Sequence, residues 1–220
     1  TRVIVLDGLG NEYEVEISEL DPRAVLAGIR TAGKISTQPS VILDLYVSLT
    51  QREKFEWLLQ KCCEVGASSF FPFISSRSLV QDPTIASSKM QRWQKILQEA
   101  AEQCGRHDIP AIHPPSRWNE ALHSVQNSSL AILAWERENS VTLPQILKNR
   151  PGHIAALIGP EGGFSMEEIQ SAVNAGIHLI TLGPRTLRNR SDRIGDERNG
   201  DVLIFLWRSR RSIIQYFAHL

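Results

Sequence analysis

The sequence lacks any apolar run long enough to span a membrane, since a spanning helix needs about 20 such residues. It also lacks a net charge, because 24 basic side chains balance 24 acidic ones. Overall charge therefore gives no argument for nucleic acid, although a local basic patch stays open. Only Cys62, Cys63 and Cys104 are present, and their spacing fits neither a metal site nor a disulfide framework. We expect a cytoplasmic protein without membrane or metal.

The first 38 residues are predicted to form β structure. Strand-like runs at residues 3–6 and 12–17 flank a turn signal at residues 7–11. The chain opens inside a strand-like run with neither a signal peptide nor an initiator methionine, so we expect further sequence upstream. Residues 1–38 are too short to fold alone and are interpreted as the remnant of a small β domain, followed by a linker at residues 37–40.

From residue 41 onward, apolar strand-like runs alternate with segments of helical period. Thr50 with Glu53, and Ser88 with Gln91, are the predicted N-terminal capping boxes of the first two helices. This alternation predicts an α/β fold with a parallel sheet covered by helices on both faces. The predicted strands are residues 41–48, 69–74, 130–135, 154–158 and 179–182, and the predicted helices follow at about 51–65, 89–104, 143–149 and 166–175. Their predicted apolar stripes are Phe55, Leu58, Leu59, Cys62 and Cys63, then Trp93, Ile96, Leu97, Ala100, Ala101 and Cys104.

Two strand ends carry the most informative motif. The first glycine loop, residues 159–163, follows an apolar strand and precedes a helix that Ser165 and Glu168 begin as a capping box. The second glycine loop, residues 182–188, follows the next strand. Ligands of parallel sheets bind at the carboxyl ends of strands, so we expect the two loops to form two walls of one pocket.

The first glycine loop alone leaves two interpretations open. It lacks the spacing of a dinucleotide fingerprint and the lysine of a P-loop, but its backbone could bind a nucleoside-type ligand. It could equally be a tight turn that needs glycine for geometry alone. Its pairing with the second glycine loop favours a ligand site.

Residues 158–164 and 182–188 resemble the two cofactor loops of the bacterial small-subunit rRNA uridine-N3 methyltransferases, a family of the knotted SPOUT superfamily. Residues 60–66, 75–78 and 100–106 also fit, in order. The resemblance implies a truncated PUA-like β domain (1–38) before a SPOUT methyltransferase domain (39–220) with a C-terminal trefoil knot. It also implies S-adenosylmethionine as cofactor, N3 of a uridine in 16S rRNA of the small ribosomal subunit as substrate, a homodimer, and no metal.

The resemblance implies site residues as well. A sulfonium carries its own leaving group, so such an enzyme mainly positions its reactants, while uracil N3 must lose a proton. Arg106 is the candidate for stabilising that charge, and Glu161 for orienting cofactor or proton. Arg77, Arg106 and Arg185 would contact RNA. The cofactor would contact Leu157, Ile158, Gly159, Pro160, Glu161, Gly162, Gly163, Leu182, Gly183, Arg185, Leu187 and Arg188.

Each candidate has a structural alternative. Arg106 could bind carbonyls at a helix C-terminus, and Arg77 could be a solvated surface residue. Glu161 could be an acidic residue that stabilises the N-terminus of the following helix. Arg185 could contact RNA or cap its own loop. His107 and His113 could act as bases, but neither lies in a stretch that carries the resemblance. Core packing is the preferred interpretation of Cys62, Cys63, Trp57 and Trp93.

The resemblance stops after Arg188. The family continues with Thr-Glu-Thr-Ala and an apolar helix that completes the knot, whereas residues 189–201 are highly charged without an apolar stripe. We interpret residues 189–220 as a reading-frame shift, because one allowed coding of residues 189–201, read one base on, gives Thr-Glu and an alanine-rich helix. True divergence is the alternative. If the tail is as written, the knot helix is lost or replaced and cofactor binding should weaken.

Three other functions stay open at this point. The chain could be another SPOUT methyltransferase, acting on a ribose 2′-hydroxyl or a tRNA base. It could be a catalytically impaired RNA-binding homologue, because of its altered tail. More distantly, it could be a nucleotide-binding α/β protein of another kind.

Overall fold

A computed structural model describes residues 1–34, 41–82, 89–138, 140–149 and 151–181. The predicted linker at 37–40, the predicted cap Ser88, the second glycine loop and the atypical tail therefore lie outside the described residues. The predicted trefoil knot involves that tail and lies outside them as well. Among the described residues, no helix combines the length and hydrophobicity needed to cross a membrane.

The N-terminal residues form an antiparallel sheet in the order β1-β2-β3. Its strands are β1 (Arg2–Leu6), β2 (Asn11–Asp21) and β3 (Ala24–Lys34). The predicted turn between β1 and β2 is confirmed, because Asp7 Oδ1 accepts hydrogen bonds from the amides of Leu9 and Asn11 at 2.7 and 3.1 Å. This turn also contacts the second part of the chain: the Gly10 amide donates to the His107 carbonyl at 2.8 Å.

Residues from 42 onward form a parallel sheet in the order β10-β8-β9-β4-β5-β6, with β7 also pairing with β5. The predicted parallel α/β architecture is thus confirmed. The chain moves outward from β4 to β5 and β6 on one side, and from β9 to β10 on the other, so the topology switches between β4 and β9. The strands are β4 (Ile42–Ser48), β5 (Ser69–Ile74), β6 (Ala111–Ile112), β7 (Ser116–Arg117), β8 (Leu130–Ala134), β9 (His153–Ile158) and β10 (His178–Ile180).

Helices cover both faces of this sheet, as predicted. They are α1 (Arg52–Glu64), α2 (Met90–Cys104), α3 (Trp118–Ser124), α4 (Leu143–Ile146) and α5 (Met166–Asn174). One core lies between the sheet and helices α1, α2 and α4, and includes Phe55, Leu59 and Trp93. The other lies between the sheet and helices α3 and α5, and includes Trp118 and Ile169. Cys62 and Cys63 are fully buried, which confirms their structural interpretation.

Several local predictions were wrong. The N-cap of α1 is Gln51 and not Thr50, and no side chain caps this helix. Cys104 is exposed at the end of α2 and not part of its buried stripe. The segment 143–149 divides into α4 and a 3₁₀ turn at Leu147–Asn149. The short strands β6 and β7 and helix α3 were not predicted.

Candidate functional site

The first glycine loop lies at the carboxyl edge of the sheet, next to the switch between β4 and β9. It follows β9, and Ile158 at the end of β9 pairs with Val47 near the end of β4. The edge also carries the loop after β5 and the first turn of α1. Since ligands of such sheets bind at this edge and near such a switch, the fold places the loop where the sequence predicted it.

Local geometry accounts for two of the three glycines in this loop. A Cβ on Gly159 would lie 2.7 Å from the Phe164 ring, a distance at which something must shift. Gly163 has a φ of 67°, in the left-handed region that favours glycine, and its amide donates to the Pro160 carbonyl at 2.9 Å. The interpretation of the loop as a tight turn therefore holds for Gly159 and Gly163.

The loop nevertheless leaves backbone donors unused. The amides of Glu161 and Gly162 donate to no described residue, and both residues are exposed. Leu157, by contrast, has its side chain in the core, and Pro160 is buried. A polar ligand could therefore accept hydrogen bonds from the amides of Glu161 and Gly162 on the exposed side of the loop.

Arg77 braces the first glycine loop from the end of β5. Its Nη1 donates to the Gly162 carbonyl at 2.9 Å, while the residue stays exposed. The segment that carries it is held by a buried hydroxyl cluster, in which the Ser78 hydroxyl lies 2.7 Å from that of Ser48 and 3.0 Å from that of Ser75. The structure thus brings Arg77 to the loop, a contact that the sequence did not indicate, and its predicted contact with RNA stays a prediction.

Glu168 joins the same two segments through one buried carboxylate. The predicted capping box is confirmed: Ser165 Oγ accepts from the Glu168 amide at 3.2 Å, and Glu168 Oε2 accepts from the Ser165 amide at 2.8 Å. The second oxygen, Oε1, accepts from the Ser76 amide at 2.7 Å. The sequence indicated the cap but contained no signal for the bond to Ser76.

Glu161 contacts helix α1 and not α5. Its carboxylate lies 3.4 Å from the Lys54 ammonium, and both side chains are partly exposed. This ion pair crosses the switch between β9 and β4. The predicted role of Glu161 in orienting a cofactor or a proton has no test in this contact and stays a prediction.

Glu136 is a further acidic residue at this edge that the sequence analysis missed. It follows β8, the strand that lies between β9 and β10 in the sheet. Its carboxylate oxygens would lie 3.8 and 3.9 Å from a Cβ on Gly163. The available signal was positional, because Glu136 follows the carboxyl end of a predicted strand.

Arg106 lies at the opposite edge of the sheet. Its Nη1 donates to the carbonyls of Cys63 and Ala67 at 2.9 and 2.8 Å, and its Nη2 pairs with Asp108 at 2.7 Å. Its side chain is only 12% exposed. The guanidinium thus binds carbonyls at the end of α1, which is the alternative that the sequence analysis gave.

The two predicted catalytic residues are therefore not brought together within one chain. The Ser68 amide, next to Ala67, bonds the Leu43 carbonyl at the start of β4, whereas the glycine loop follows the level of Val47. The stretch from Leu43 to Val47 alone spans about 13 Å. Arg106 and Glu161 sit at opposite ends of the strands.

At the carboxyl edge, the start of α5 carries a carboxyl group with a lowered pKa. Bonds from its own backbone amide and from the Ser165 hydroxyl lower the pKa of the exposed Glu167 carboxyl, and Arg77 adds to the effect. In the core, by contrast, burial raises the pKa of the Cys63 thiol to about 12, so this group stays protonated at neutral pH. No group of three or more His, Cys, Asp or Glu side chains within the described ranges could hold a metal ion.

Comparisons with known proteins identify the family of the chain. A family model for the RNA methyltransferase domain matches residues 37–191. Over 188 residues the chain is 32% identical to Ribosomal RNA small subunit methyltransferase E of Synechocystis, covering 84% of this chain and 60% of that relative. The chain therefore spans less than two thirds of that protein's length. The family match stops three residues after Arg188 (191 minus 188), close to where the resemblance ends.

Two solved structures are similar as well. A Ribosomal RNA small subunit methyltransferase E from Neisseria gonorrhoeae bound to S-adenosyl methionine is 29% identical, with a TM-score of 0.75 over 86% of this chain and 77% of that one. A putative methyltransferase from Legionella pneumophila in complex with the same cofactor is 28% identical, with a TM-score of 0.77 over 85% and 76%. The chain belongs to the RNA methyltransferase domain family, among the relatives of Ribosomal RNA small subunit methyltransferase E.

Proposed function

We propose that this protein transfers a methyl group from S-adenosylmethionine to N3 of a uridine in 16S rRNA. The observation that carries the proposal is the first glycine loop, at the carboxyl edge and beside the topological switch, with the amides of Glu161 and Gly162 unused by any described residue. Similarity to a small-subunit rRNA methyltransferase and to two structures that hold the cofactor supports it.

The residues at this edge suit a nucleoside-type cofactor. The amides of Glu161 and Gly162 are donors for a polar edge or a carboxylate, and the carboxylates of Glu161 and Glu136 suit a cation or hydroxyl groups. Leu157, Ile158, Gly159, Pro160 and Gly163 would shape the wall. When bound, S-adenosylmethionine supplies the methyl group on a sulfonium leaving group. The described residues would bind the cofactor and orient it. Arg77 lies beside the loop and could bind an RNA phosphate.

Other parts of the site belong to the proposal alone. Leu182, Gly183, Arg185, Leu187 and Arg188 would form the opposite wall, with Arg185 also reaching RNA. Arg106 would act as a positioning residue that fixes the end of α1, unless a second subunit brings it to a neighbouring pocket. The protein would also be a cytoplasmic homodimer, with a knotted C-terminal segment and a PUA-like N-terminal domain. Light scattering of the purified protein tests the dimer.

The direct test uses small ribosomal subunits from a strain that lacks N3-methyluridine in 16S rRNA. The purified protein and S-adenosylmethionine are added, and digested rRNA is analysed by mass spectrometry. We expect N3-methyluridine to form, and S-adenosylhomocysteine to inhibit its formation. A methylated ribose, or a methylated base other than uracil, would replace the proposed specificity with that of another RNA methyltransferase.

A specific observation favours a second candidate, an impaired enzyme that still binds RNA. The family match ends at residue 191, although the chain continues to residue 220. Calorimetry with S-adenosylmethionine separates the two cases, using the chain as written and a variant whose tail is translated one base on. Equal binding by both chains would contradict the impaired-enzyme candidate, whereas binding by the corrected chain alone would support it.

A further inference from the structure

Three aromatic rings form a stacked column across the sheet, and its outer end is exposed. The ring centroids of Tyr46 and Phe71 lie 4.5 Å apart at an interplanar angle of 8°, and those of Phe71 and His113 lie 4.0 Å apart at 7°. Exposure increases along the column: Tyr46 is 2% exposed, Phe71 is half-buried and His113 is exposed. The column therefore presents a flat imidazole at its outer end.

The backbone explains why these rings align. Tyr46 and Phe71 are direct partners in the β4–β5 ladder, so their side chains leave the same face of the sheet. His113 follows β6, and its amide donates to the Phe70 carbonyl at 2.9 Å. Pro114 and Pro115 come next and cannot donate to a ladder, so the chain bulges at this point and holds His113 beside Phe71.

His113 differs from two other histidines of the protein because its ring has no polar partner among the described residues. His107 Nε2 lies 3.1 Å from Glu12, and His153 Nε2 lies 2.7 Å from Asp44. The His113 ring bonds no described residue, and Phe71 is the one described ring that stacks on it. One imidazole face and both nitrogens are thus left to solvent or to a ligand.

The outer edge of the sheet continues from His113 towards the candidate site. Arg117 pairs with Ile74 at the end of β5, directly before the segment that carries Arg77. Arg117 is four positions after His113 in the sequence, so the two lie at most about 13 Å apart along an extended chain. Arg117 is exposed and forms no ion pair with a described residue, although Glu120 accepts a bond from its backbone amide at 2.8 Å. By the same pairing rule the Arg117 side chain shares the face of Ile74, opposite to that of Phe71, so the outer edge of the sheet carries an exposed imidazole on one face and an exposed cation on the other.

We propose that His113 is a stacking platform for an unpaired nucleobase of the RNA substrate, with the flanking phosphates near Arg117 and Arg77. This inference rests on the proposed function. Single-stranded RNA is bound by stacking of bases on planar side chains beside cationic groups, and the edge offers both. A buried column is a rigid support for such a ring, since Phe71 and Tyr46 fix its plane.

The test compares side chains that separate stacking from simple cover of Phe71. Binding of a fluorescein-labelled single-stranded RNA is measured by anisotropy for the wild type and for His113→Phe, His113→Leu and His113→Ala. Leucine still covers Phe71 but has no planar face. We expect the Leu and Ala variants to bind about 5- to 10-fold more weakly, the low end for base stacking, and the Phe variant to bind within about twofold of the wild type.

Matched measurements exclude an effect of folding or of charge. Thermal unfolding of the Leu and Phe variants should be alike, so their difference in binding does not depend on stability. Arg117→Gln should reduce the salt dependence of binding, while the His113 variants should leave it unchanged. A strand with abasic positions should bind the wild type as weakly as the intact strand binds His113→Leu.

Three outcomes would overturn the inference in distinguishable ways. If the wild type and His113→Leu bind the strand equally, the platform is wrong and the proposed function stands. If the wild type binds neither this strand nor 16S rRNA, both fail. Wild-type binding to a small-subunit protein that is lost in His113→Leu, without any change in RNA binding, would assign the face to a protein partner and overturn the platform.

Discussion

The two edges of the parallel sheet use polar groups in opposite ways. At the amino edge, the Arg106 guanidinium donates hydrogen bonds to two carbonyls and to Asp108, and it is nearly buried. At the carboxyl edge, Arg77 is exposed, and the amides of Glu161 and Gly162 have no described acceptor. Satisfied polar groups stabilise a fold, whereas groups left open are available for binding. The comparison therefore predicts that the amino edge contributes mainly to stability and the carboxyl edge to ligand binding.

The largest effect should come from the amino edge. Arg106→Ala removes three hydrogen bonds and leaves two carbonyls and Asp108 without their partner, so we expect the free energy of unfolding to fall by about 3 kcal/mol. Denaturant unfolding measures this, and cofactor affinity of the folded fraction should not change. A stable Arg106→Ala protein that binds cofactor but transfers no methyl group would instead make Arg106 catalytic.

A smaller effect is expected when the carboxyl edge is overpacked. In Gly159→Ala the new Cβ would meet the Phe164 ring at 2.7 Å, so we expect a loss of about 2 kcal/mol in stability and weaker cofactor binding in calorimetry. Gly152→Ala is the matched control at the other end of β9, because no atom lies within 4 Å of its new Cβ. Equal losses in both variants would show that the clash is relieved at no cost.

The helix cap at the carboxyl edge should contribute less. Ser165→Ala removes the hydroxyl that accepts the Glu168 amide at 3.2 Å, and we expect a loss of about 1 kcal/mol in thermal or denaturant unfolding. Ser165→Asn should restore most of it, because asparagine is also a good N-cap. If Asn is no better than Ala, the hydroxyl does not act as a cap.

The smallest effect is expected from a surface ion pair between α1 and α2. Hydrogen bonds from Arg92, and then Arg52, lower the pKa of the Glu56 carboxyl below its ordinary value of 4.5. A lowered folded pKa contributes stability above pH 4.5 that is lost as the pH falls through the folded pKa. Glu56→Gln should therefore cost about 0.5 kcal/mol at pH 7 and nothing in strong acid. A pH-independent difference would contradict the assignment.

The sequence predicted most of the fold because its signals are local. Strand runs, helical stripes, and glycines such as Gly105 depend on neighbours along the chain, and they located the carboxyl edge and its first loop. Strands β6 and β7 have two residues each, which is too short for a periodic signal. The bond from Ser76 to Glu168 joins segments 92 residues apart, and no local pattern predicts it.

Arg106 shows why a motif is not a position. The resemblance carried this residue into the predicted site, but a residue that follows a helix and precedes a strand lies at the amino edge of a parallel sheet. This rule could not be used from the sequence, because the strand after Arg106, β6, was too short to be predicted. The predicted contact of Arg106 with the substrate stays a prediction.

Glu168 also has a consequence for motion. One carboxylate holds the start of α5 and the turn after β5, so opening either segment breaks bonds that hold the other. The two segments should therefore fluctuate together, and the amides of Ser76 and Ser165 should exchange their hydrogens at closely similar rates. A ligand that orders the first glycine loop would then also slow exchange in the segment that carries Arg77.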